Sequence, residues 1–130
     1  MLRGLTTVTY FAADHEKAKR WYTDLLGVEP YFDRPGYAEF RIGDYQHELG
    51  LIDAAYAPHP ATGRPSGVIL YWAVDDVATV LERLTELGAT EHEGRRERGS
   101  GFVTASVVDP FGNLLGVMEN PHYLDVLAAR

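Results

Sequence analysis

The amino-acid sequence predicts an α+β fold made of two tandem βαβββ modules. The first observation is an internal repeat, because an apolar strand pattern that runs toward an aspartate begins at Tyr10 and again at Tyr71. The second is that each pattern leads into a helical pattern ending in Leu-Gly, at Gly27 and at Gly88, so that both pairs are 61 residues apart. A repeat of this length indicates two copies of one supersecondary unit, which bury their apolar faces by packing together.

The first module is predicted to cover residues 1–56. Thr, Val, Tyr and Phe favour a strand from Leu5 to Phe11, and Asp14 can cap a helix over residues 15–26. Gly27 is a typical residue at the end of a helix. Three short β-like runs follow between turn signals, at residues 31–33, 37–42 and 48–53.

The second module is predicted to cover residues 68–120. Residues 57–67 break all periodicity with Pro and Gly, which predicts a linker, with a mobile lid as the alternative. An apolar strand at 67–74 leads to Asp75-Asp76 and a helix with apolar Val77, Val80 and Leu84 on one side. The remaining predicted elements are a weak strand at 90–94, an exposed hairpin tip at 95–101, strands at 102–108 and 114–119, and a short helix in the tail 121–130.

Composition limits the classes of function. The chain has 130 residues, no cysteine and a net charge of −7. The absence of cysteine excludes disulfides, thiolate metal sites and a cysteine nucleophile. The acidic balance disfavours nucleic acid and favours a neutral or cationic partner. No apolar run is long enough to span a membrane and no signal segment is evident, so we expect a cytoplasmic protein.

Four segments together resemble the vicinal oxygen chelate superfamily, which includes glyoxalase I, bleomycin-binding proteins and extradiol dioxygenases. They are Ala12–Asp14, the helix segment Trp21–Gly27, the helix start Val74–Asp76 and the turn Asp109–Asn113. The resemblance covers nearly the whole chain and implies a single domain over residues 1–130. It also implies the glyoxalase/bleomycin-resistance fold, in which a curved mixed sheet forms a cup with the helices outside.

The resemblance also implies where a divalent metal ion would bind. Its ligand positions fall on Thr7, on Val68 or Ile69 depending on register, and on Gly116, with Glu48 at a position where some members carry a carboxylate. Divalent ions need imidazole nitrogen or carboxylate oxygen. Since only Glu48 supplies one of these, we expect no metal cofactor, with a divalent metal as the alternative. The five histidines are expected to be solvated or structural, and none is predicted to lie mid-strand except His47.

Strand alternation then predicts which residues line the cup. The candidate ligand-binding set is Thr7, Thr9, Glu48, Ile52, Ile69, Tyr71, Leu114, Gly116 and Met118. This mixture of apolar walls and a few polar groups is typical of a small-molecule pocket. Glu48 is the strongest candidate, because a carboxylate on an apolar face needs a partner, for which Arg41 is available. Five aromatic residues are further candidates for the walls: Phe32, Tyr37, Phe40, Tyr56 and Phe102.

Three hypotheses about function follow. The first is a metal-free protein that binds a small organic molecule, similar to bleomycin-resistance proteins. The second is an isomerase, lyase or dioxygenase with Glu48 as a general base, assisted by Thr7 or Tyr71, or with Glu48 in an atypical metal site. The third is a structural or regulatory protein whose cup is filled by side chains. Under each of them we expect a homodimer, for which residues 123–127 offer an apolar stripe.

Overall fold

The computed structural model describes residues 1–58, 65 and 67–130. The chain divides into two compact units, Met1–Ala61 and Thr62–Arg130, and each contains its own four-stranded mixed sheet. Most of the predicted linker at 57–67, with its lid alternative, lies outside the described residues, as does His59. No helix among the described residues is long and apolar enough to cross a membrane.

The first unit follows the predicted order of elements. They are β1 (Thr7–Ala12), α1 (His15–Leu26), β2 (Phe32–Arg34), β3 (Tyr37–Ile42) and β4 (His47–Asp53), followed by a 3-10 turn at Ala54–Tyr56. The strand order in the sheet is β1-β4-β3-β2. The first strand runs parallel to β4, and the other pairs are antiparallel.

Alternation along these strands separates two faces of the first sheet. Leu49 and Leu51 of β4 are fully buried on the face that packs against α1, where the rings of Tyr10 and Tyr22 lie 5.9 Å apart. Phe40 is also fully buried and pairs with Leu49, so it belongs to this core. Phe40 is therefore one of the aromatic residues that pack in the core and do not line a ligand site, because its strand position directs it to the helix side.

The ends of α1 are where the sequence predicts them. The side chain of Asp14 accepts a hydrogen bond from the backbone N–H of Lys17 at 3.1 Å. At the other end Gly27 has a φ of 70° and its N–H donates to the carbonyl of Thr23. Only glycine adopts this left-handed conformation without strain, so the Leu-Gly signal ends the helix.

The second unit repeats the same plan and adds a helix. Its elements are β5 (Tyr71–Ala73), α2 (Val77–Glu86), β6 (Thr90–Gly99), β7 (Phe102–Val108), β8 (Leu114–Glu119) and α3 (Pro121–Ala128). The strand order is β5-β8-β7-β6, with β5 parallel to β8. The predicted strand at 67–74 is thus shorter in the structure. The predicted hairpin tip at 95–101 is mostly strand, because β6 continues to Gly99 and the chain reverses at Ser100 and Gly101.

The helix caps of the two units are 62 residues apart in the sequence. The cap of α2 is Asp76, whose side chain accepts from the backbone of Ala78 and Thr79, and the cap of α1 is Asp14. The structural equivalent of Tyr71 is therefore Thr9, not Tyr10. A change of one residue moves a side chain to the opposite face of a strand, so this offset decides which residues are comparable.

Glu119 at the end of β8 stabilises α2. Its Oε2 accepts a hydrogen bond from the backbone N–H of Val77, the first residue of that helix, at 2.9 Å. Glu119 thus points toward α2, on the face opposite Gly116. We expect Glu119→Ala to lower the free energy of unfolding by about 1 kcal/mol, since this N–H loses its acceptor. Urea unfolding would measure it, and an equal loss in Glu82→Ala, an exposed glutamate of α2, would contradict this role.

Candidate functional site

The face of the first sheet that points away from α1, here called the first distal face, carries most of the polar residues predicted for the site. Strand register brings three rows of side chains together across β1, β4 and β3. The rows are Thr7–Glu48–Arg41, Thr9–Gly50–Glu39 and Phe11–Ile52–Tyr37. The sequence-predicted residues Thr7, Thr9, Glu48 and Ile52 therefore share one surface.

Glu48 lies at the centre of a short hydrogen-bond network on this face. Its Oε2 accepts from the hydroxyl of Thr7 at 3.0 Å, and its Oε1 lies 3.2 Å from the hydroxyl of Tyr31. The Glu48 side chain is half-buried. A carboxylate has more acceptor sites than these two contacts use, so it can still accept a hydrogen bond from a bound molecule.

Arg41 is not the partner of Glu48 that the sequence suggests. The two residues are opposite each other in the register of β3 and β4. The guanidinium of Arg41 instead lies over the ring of Tyr31, 4.2 Å from its centroid. Among the ion pairs of the described residues, none joins Arg41 to Glu48. Arginine commonly stacks on an aromatic ring in this way.

Glu39, which is not among the predicted site residues, is the second carboxylate of the first distal face. The hydroxyl of Tyr31 donates to its Oε2 at 2.5 Å, and the hydroxyl of Tyr37 donates to its Oε1. These two hydrogen bonds lower the pKa of the Glu39 carboxyl, because they stabilise its ionised form. Alternation from Tyr37 and pairing with β4 place Glu39 beside Gly50, so a cross-strand register would have identified it.

The same contacts keep the phenols protonated. The hydrogen bond to Glu39 raises the pKa of Tyr31, and it raises the pKa of Tyr37 to about 12. Because folding raises the pKa of Tyr37, the folded state favours the neutral phenol. This contribution to the free energy of unfolding is fully present below the unfolded pKa of about 10. It is lost as the pH rises through the folded pKa of about 12.

We expect this shift to be visible in an alkaline titration. The absorbance of tyrosinate near 295 nm, compared between the wild type and Tyr37→Phe, should give a pKa of about 12 for Tyr37. In Glu39→Gln the anionic acceptor is missing, so the titration of Tyr37 should move toward the ordinary value of about 10. Ionisation of Tyr37 near pH 10 in the wild type would contradict the contact.

Gly50 lies in the middle of the first distal face and has space for a methyl group above it. It pairs with Thr9 on one side and with Glu39 on the other. A Cβ built on Gly50 would meet Thr9 Oγ1 at 3.6 Å and Thr7 Cγ2 at 3.8 Å, which are ordinary van der Waals distances. The side chain that Gly50 lacks therefore leaves a methyl-sized space beside Glu48, here called the recess.

The corresponding face of the second sheet, the second distal face, is filled at the equivalent position. Tyr71 pairs with Gly116 as Thr9 pairs with Gly50. A Cβ on Gly116 would lie 2.6 Å from Tyr71 Cδ1 and 3.0 Å from Ile69 Cγ2. These two side chains thus occupy the space above Gly116, where the first sheet has its recess.

Other polar groups of the second distal face bind one another. The Nδ1 of His92 lies 2.8 Å from the hydroxyl of Ser106, which is fully buried. The Nε of Arg98 donates to the hydroxyl of Thr104 at 2.9 Å. Met118 lies in the next row, opposite Thr104, and Leu114 is buried at the start of β8. The predicted residues Ile69, Tyr71, Leu114, Gly116 and Met118 thus belong to the second unit.

Three histidines, His15, His47 and His92, have contacts of a structural kind. His15 is buried, and its Nε2 lies 2.9 Å from the carbonyl oxygen of Leu51, to which it donates. His47 stacks on Tyr45. His92 lies inside β6, so the prediction that it does not lie mid-strand is wrong, although its hydrogen bond to Ser106 agrees with a structural role.

The residues at the implied metal positions do not fit a divalent ion. Thr7 uses its hydroxyl to donate to Glu48, and Ile69 has no donor atom. Gly116 has no side chain, and the Tyr71 ring occupies the space where one would lie. Among the described residues, no group of three or more His, Asp or Glu side chains is placed to hold a metal ion.

Comparison with family models identifies one family. Residues 4–117 match the family model described as Glyoxalase/Bleomycin resistance protein/Dioxygenase superfamily. Comparison with curated proteins gives no match.

Three solved structures illustrate the similarity of fold. A glyoxalase-related enzyme from Fulvimarina pelagi is 23% identical, with 92% of this chain and 90% of that chain covered and a TM-score of 0.75. A lactoylglutathione lyase from Agrobacterium tumefaciens is 23% identical, with coverages of 95% and 98% and a TM-score of 0.70. A superfamily member from Sphaerobacter thermophilus DSM 20745 is also 23% identical, with coverages of 92% and 98% and a TM-score of 0.70.

Proposed function

Because the chain belongs to the Glyoxalase/Bleomycin resistance protein/Dioxygenase superfamily, we propose that it binds a small organic molecule on the first distal face, without a metal ion. The observation that carries this proposal is the contrast between two equivalent glycines. The space above Gly116 is filled by Tyr71, whereas Gly50 has room above it and Glu48 beside it. A recess with one half-buried carboxylate is suited to an organic ligand with a polar group.

The chemistry of the available donors supports binding without metal. At the positions implied for metal ligands, Thr7, Ile69 and Gly116 offer at most a hydroxyl that is already bonded to Glu48. One carboxylate cannot complete the coordination shell of a divalent ion, which requires several nitrogen or oxygen donors. Organic ligands need fewer fixed contacts, because apolar walls supply much of their affinity.

The recess offers complementary surfaces for such a ligand. Ile52 and Phe11 lie in the row next to Gly50 and provide apolar contact area. Glu48 can accept a hydrogen bond, while Thr9 places a hydroxyl next to Gly50. The ligand would therefore be small and partly apolar, with a hydrogen-bonding group directed at Glu48.

Two measurements test the proposal. Metal analysis by mass spectrometry, after incubation with zinc, iron, manganese and nickel and subsequent desalting, should find far less than one ion per chain. Calorimetric titration of a panel of aromatic, cationic and neutral compounds should find a ligand whose affinity falls at least about tenfold in Glu48→Gln. The exposed Glu82→Gln is the matched control. Near-stoichiometric retained metal, or binding that is unchanged in Glu48→Gln, would contradict the proposal.

A second candidate is an enzyme that uses Glu48 as a general base. The contact that favours it is the 3.2 Å distance between Glu48 Oε1 and the Tyr31 hydroxyl, which brings a base and a phenol together. Formation of lactoylglutathione from methylglyoxal and glutathione is one test, given the similarity to a lactoylglutathione lyase. Turnover that is lost in Glu48→Gln, with retained folding, would favour the enzyme over a binding protein.

We also propose that the protein forms a homodimer through α3. The side chains of Leu124 and Val126 are 56% and 45% exposed, so this helix presents apolar surface to solvent. Light scattering coupled to size-exclusion chromatography would give the mass. A dimer that dissociates in Leu124→Glu would agree with the proposal, and a monomeric wild type would contradict it.

A further inference from the structure

The two hydrogen-bond distances of the Tyr31 hydroxyl are unequal. Its oxygen lies 2.5 Å from Glu39 Oε2 and 3.2 Å from Glu48 Oε1. A phenol has one proton and can donate it to only one of these carboxylates. The shorter contact takes the proton, so Tyr31 donates to Glu39.

Glu39 therefore accepts hydrogen bonds from two of the three hydroxyl groups in this network. Tyr31 and Tyr37 both donate to Glu39, which leaves each of its oxygens with a donor. Thr7 donates to Glu48 Oε2. Glu48 Oε1 is left facing the oxygen of Tyr31, which has no proton for it. Arg41 interacts with the Tyr31 hydroxyl, so Glu48 Oε1 is the acceptor that favours the arrival of a further donor group.

We infer that Glu39 is a positioning residue that holds the Tyr31 proton away from Glu48, and that the ligand of the first distal face carries a hydrogen-bond-donating cation, of the primary ammonium class. This inference rests on the proposed function, and it adds the chemical class of the ligand. An ammonium N–H can donate to Glu48 Oε1 and to the Tyr31 oxygen, and hydrogen bonds between charged partners are the stronger kind. The lowered pKa of Glu39 agrees with this arrangement, since an ionised Glu39 accepts both phenol protons.

The ring of Tyr31 already contacts a cation in the protein. The guanidinium of Arg41 lies 4.2 Å from its centroid, which is typical of cation–π contacts. With one cation from Arg41 against the two carboxylates of Glu39 and Glu48, the network has a net negative charge. A ligand with a single positive charge would neutralise it.

Glu39→Gln is the variant that separates positioning from simple packing. The glutamine amide is close to the same size but brings its own N–H donors. Those donors compete with the phenol protons, so Tyr31 is free to donate to Glu48 Oε1. Once Glu48 Oε1 accepts a hydrogen bond from Tyr31, an ammonium ligand no longer binds more tightly than a neutral one. A purely structural role of Glu39 would instead weaken all ligands to the same extent.

The test uses three probes with the same ring. They are benzylamine, which is a primary ammonium at neutral pH, benzyltrimethylammonium, which has the charge without N–H groups, and benzyl alcohol, which is neutral. Titration followed by protein NMR would compare the wild type, Glu39→Gln, Glu48→Gln, Tyr31→Phe and the control Glu82→Gln. We expect benzylamine to bind at least about fivefold more tightly than the other two in the wild type, as one additional charge-assisted hydrogen bond allows.

The variants give distinct expected results. The preference for benzylamine should disappear in Glu48→Gln and fall at least about threefold in Glu39→Gln. It should persist in Tyr31→Phe, where Glu48 Oε1 still has no internal donor, and this variant decides the ligand class if Glu39→Gln folds poorly. Equal affinity for the three probes, no binding of any, or equal weakening of all three in Glu39→Gln would overturn the inference. Glu48-dependent binding of neutral compounds alone would overturn it and leave the proposed function intact.

Discussion

Gly116→Ala is expected to lower the free energy of unfolding by about 1–3 kcal/mol, because the added methyl group overpacks the second distal face. The new Cβ would lie 2.6 Å and 2.9 Å from two carbons of the Tyr71 ring and 3.0 Å from Ile69 Cγ2. Carbon atoms do not approach so closely, so the ring must leave its place over β8. The urea unfolding midpoint measures the loss, and the NMR signals of Tyr71 should shift.

Gly50→Ala is the matched control for this substitution. It places the same methyl group at the equivalent position of the first sheet, where the nearest atom lies at 3.6 Å. Alanine also has less conformational freedom to lose on folding, which favours it by about 0.4–1 kcal/mol at a compatible site. We therefore expect Gly50→Ala to be neutral or slightly stabilising. Equal losses at the two glycines would contradict the difference between the two faces.

The sequence repeat alone does not identify Gly50 and Gly116 as equivalent positions. The repeat has an offset of 61 between Tyr10 and Tyr71, but the helix caps Asp14 and Asp76 fix the structural offset at 62. Either Asp75 or Asp76 could cap α2 on sequence grounds. Tyr10 packs in the core against Tyr22, whereas Tyr71 lies over Gly116 on the other face. An error of one residue in the offset between the modules would therefore equate Tyr10, which lies in the core, with Tyr71, which lies on the opposite face of its sheet.

The length of β6 was not predicted, because its last residues are strongly charged. Its residues 95–98 are Arg-Arg-Glu-Arg, a sequence that predicts a solvated hairpin tip. Within the described part of the chain this run continues an edge strand, β6, whose one neighbour is β7. Charged side chains on an edge strand discourage pairing with other chains, so a strongly charged run is compatible with a strand at this place in a sheet.

The candidate site was predictable where it depends on alternation within one strand. Thr7, Thr9, Glu48 and Ile52 follow from the period of two on β1 and β4, and the structure places them on one surface. Tyr31 was missed because it precedes β2 and reaches the network through its side chain. Its N–H donates to the carbonyl of Glu39, which fixes their proximity. Such a contact depends on the geometry of the β2–β3 hairpin, which residue periodicity does not specify.

Thr9→Tyr is expected to abolish ligand binding to the first distal face, by making this face resemble the second one. Thr9 and Tyr71 occupy equivalent positions, and each pairs with a glycine on the adjacent strand. A tyrosine ring at position 9 can therefore lie over Gly50 as the ring of Tyr71 lies over Gly116. It would occupy the recess and remove the apolar contact area that a ligand needs.

The loss of affinity should be at least about tenfold for any compound that binds in a Glu48-dependent manner. Thr9→Ser is the control, because it keeps the hydroxyl next to Gly50 and leaves the recess empty. The thermal unfolding midpoint of Thr9→Tyr should stay close to that of the wild type, since the ring gains contacts with the glycine backbone that offset the lost threonine. Undiminished binding in a folded Thr9→Tyr would place the ligand elsewhere, because a recess filled by a ring cannot also hold the compound.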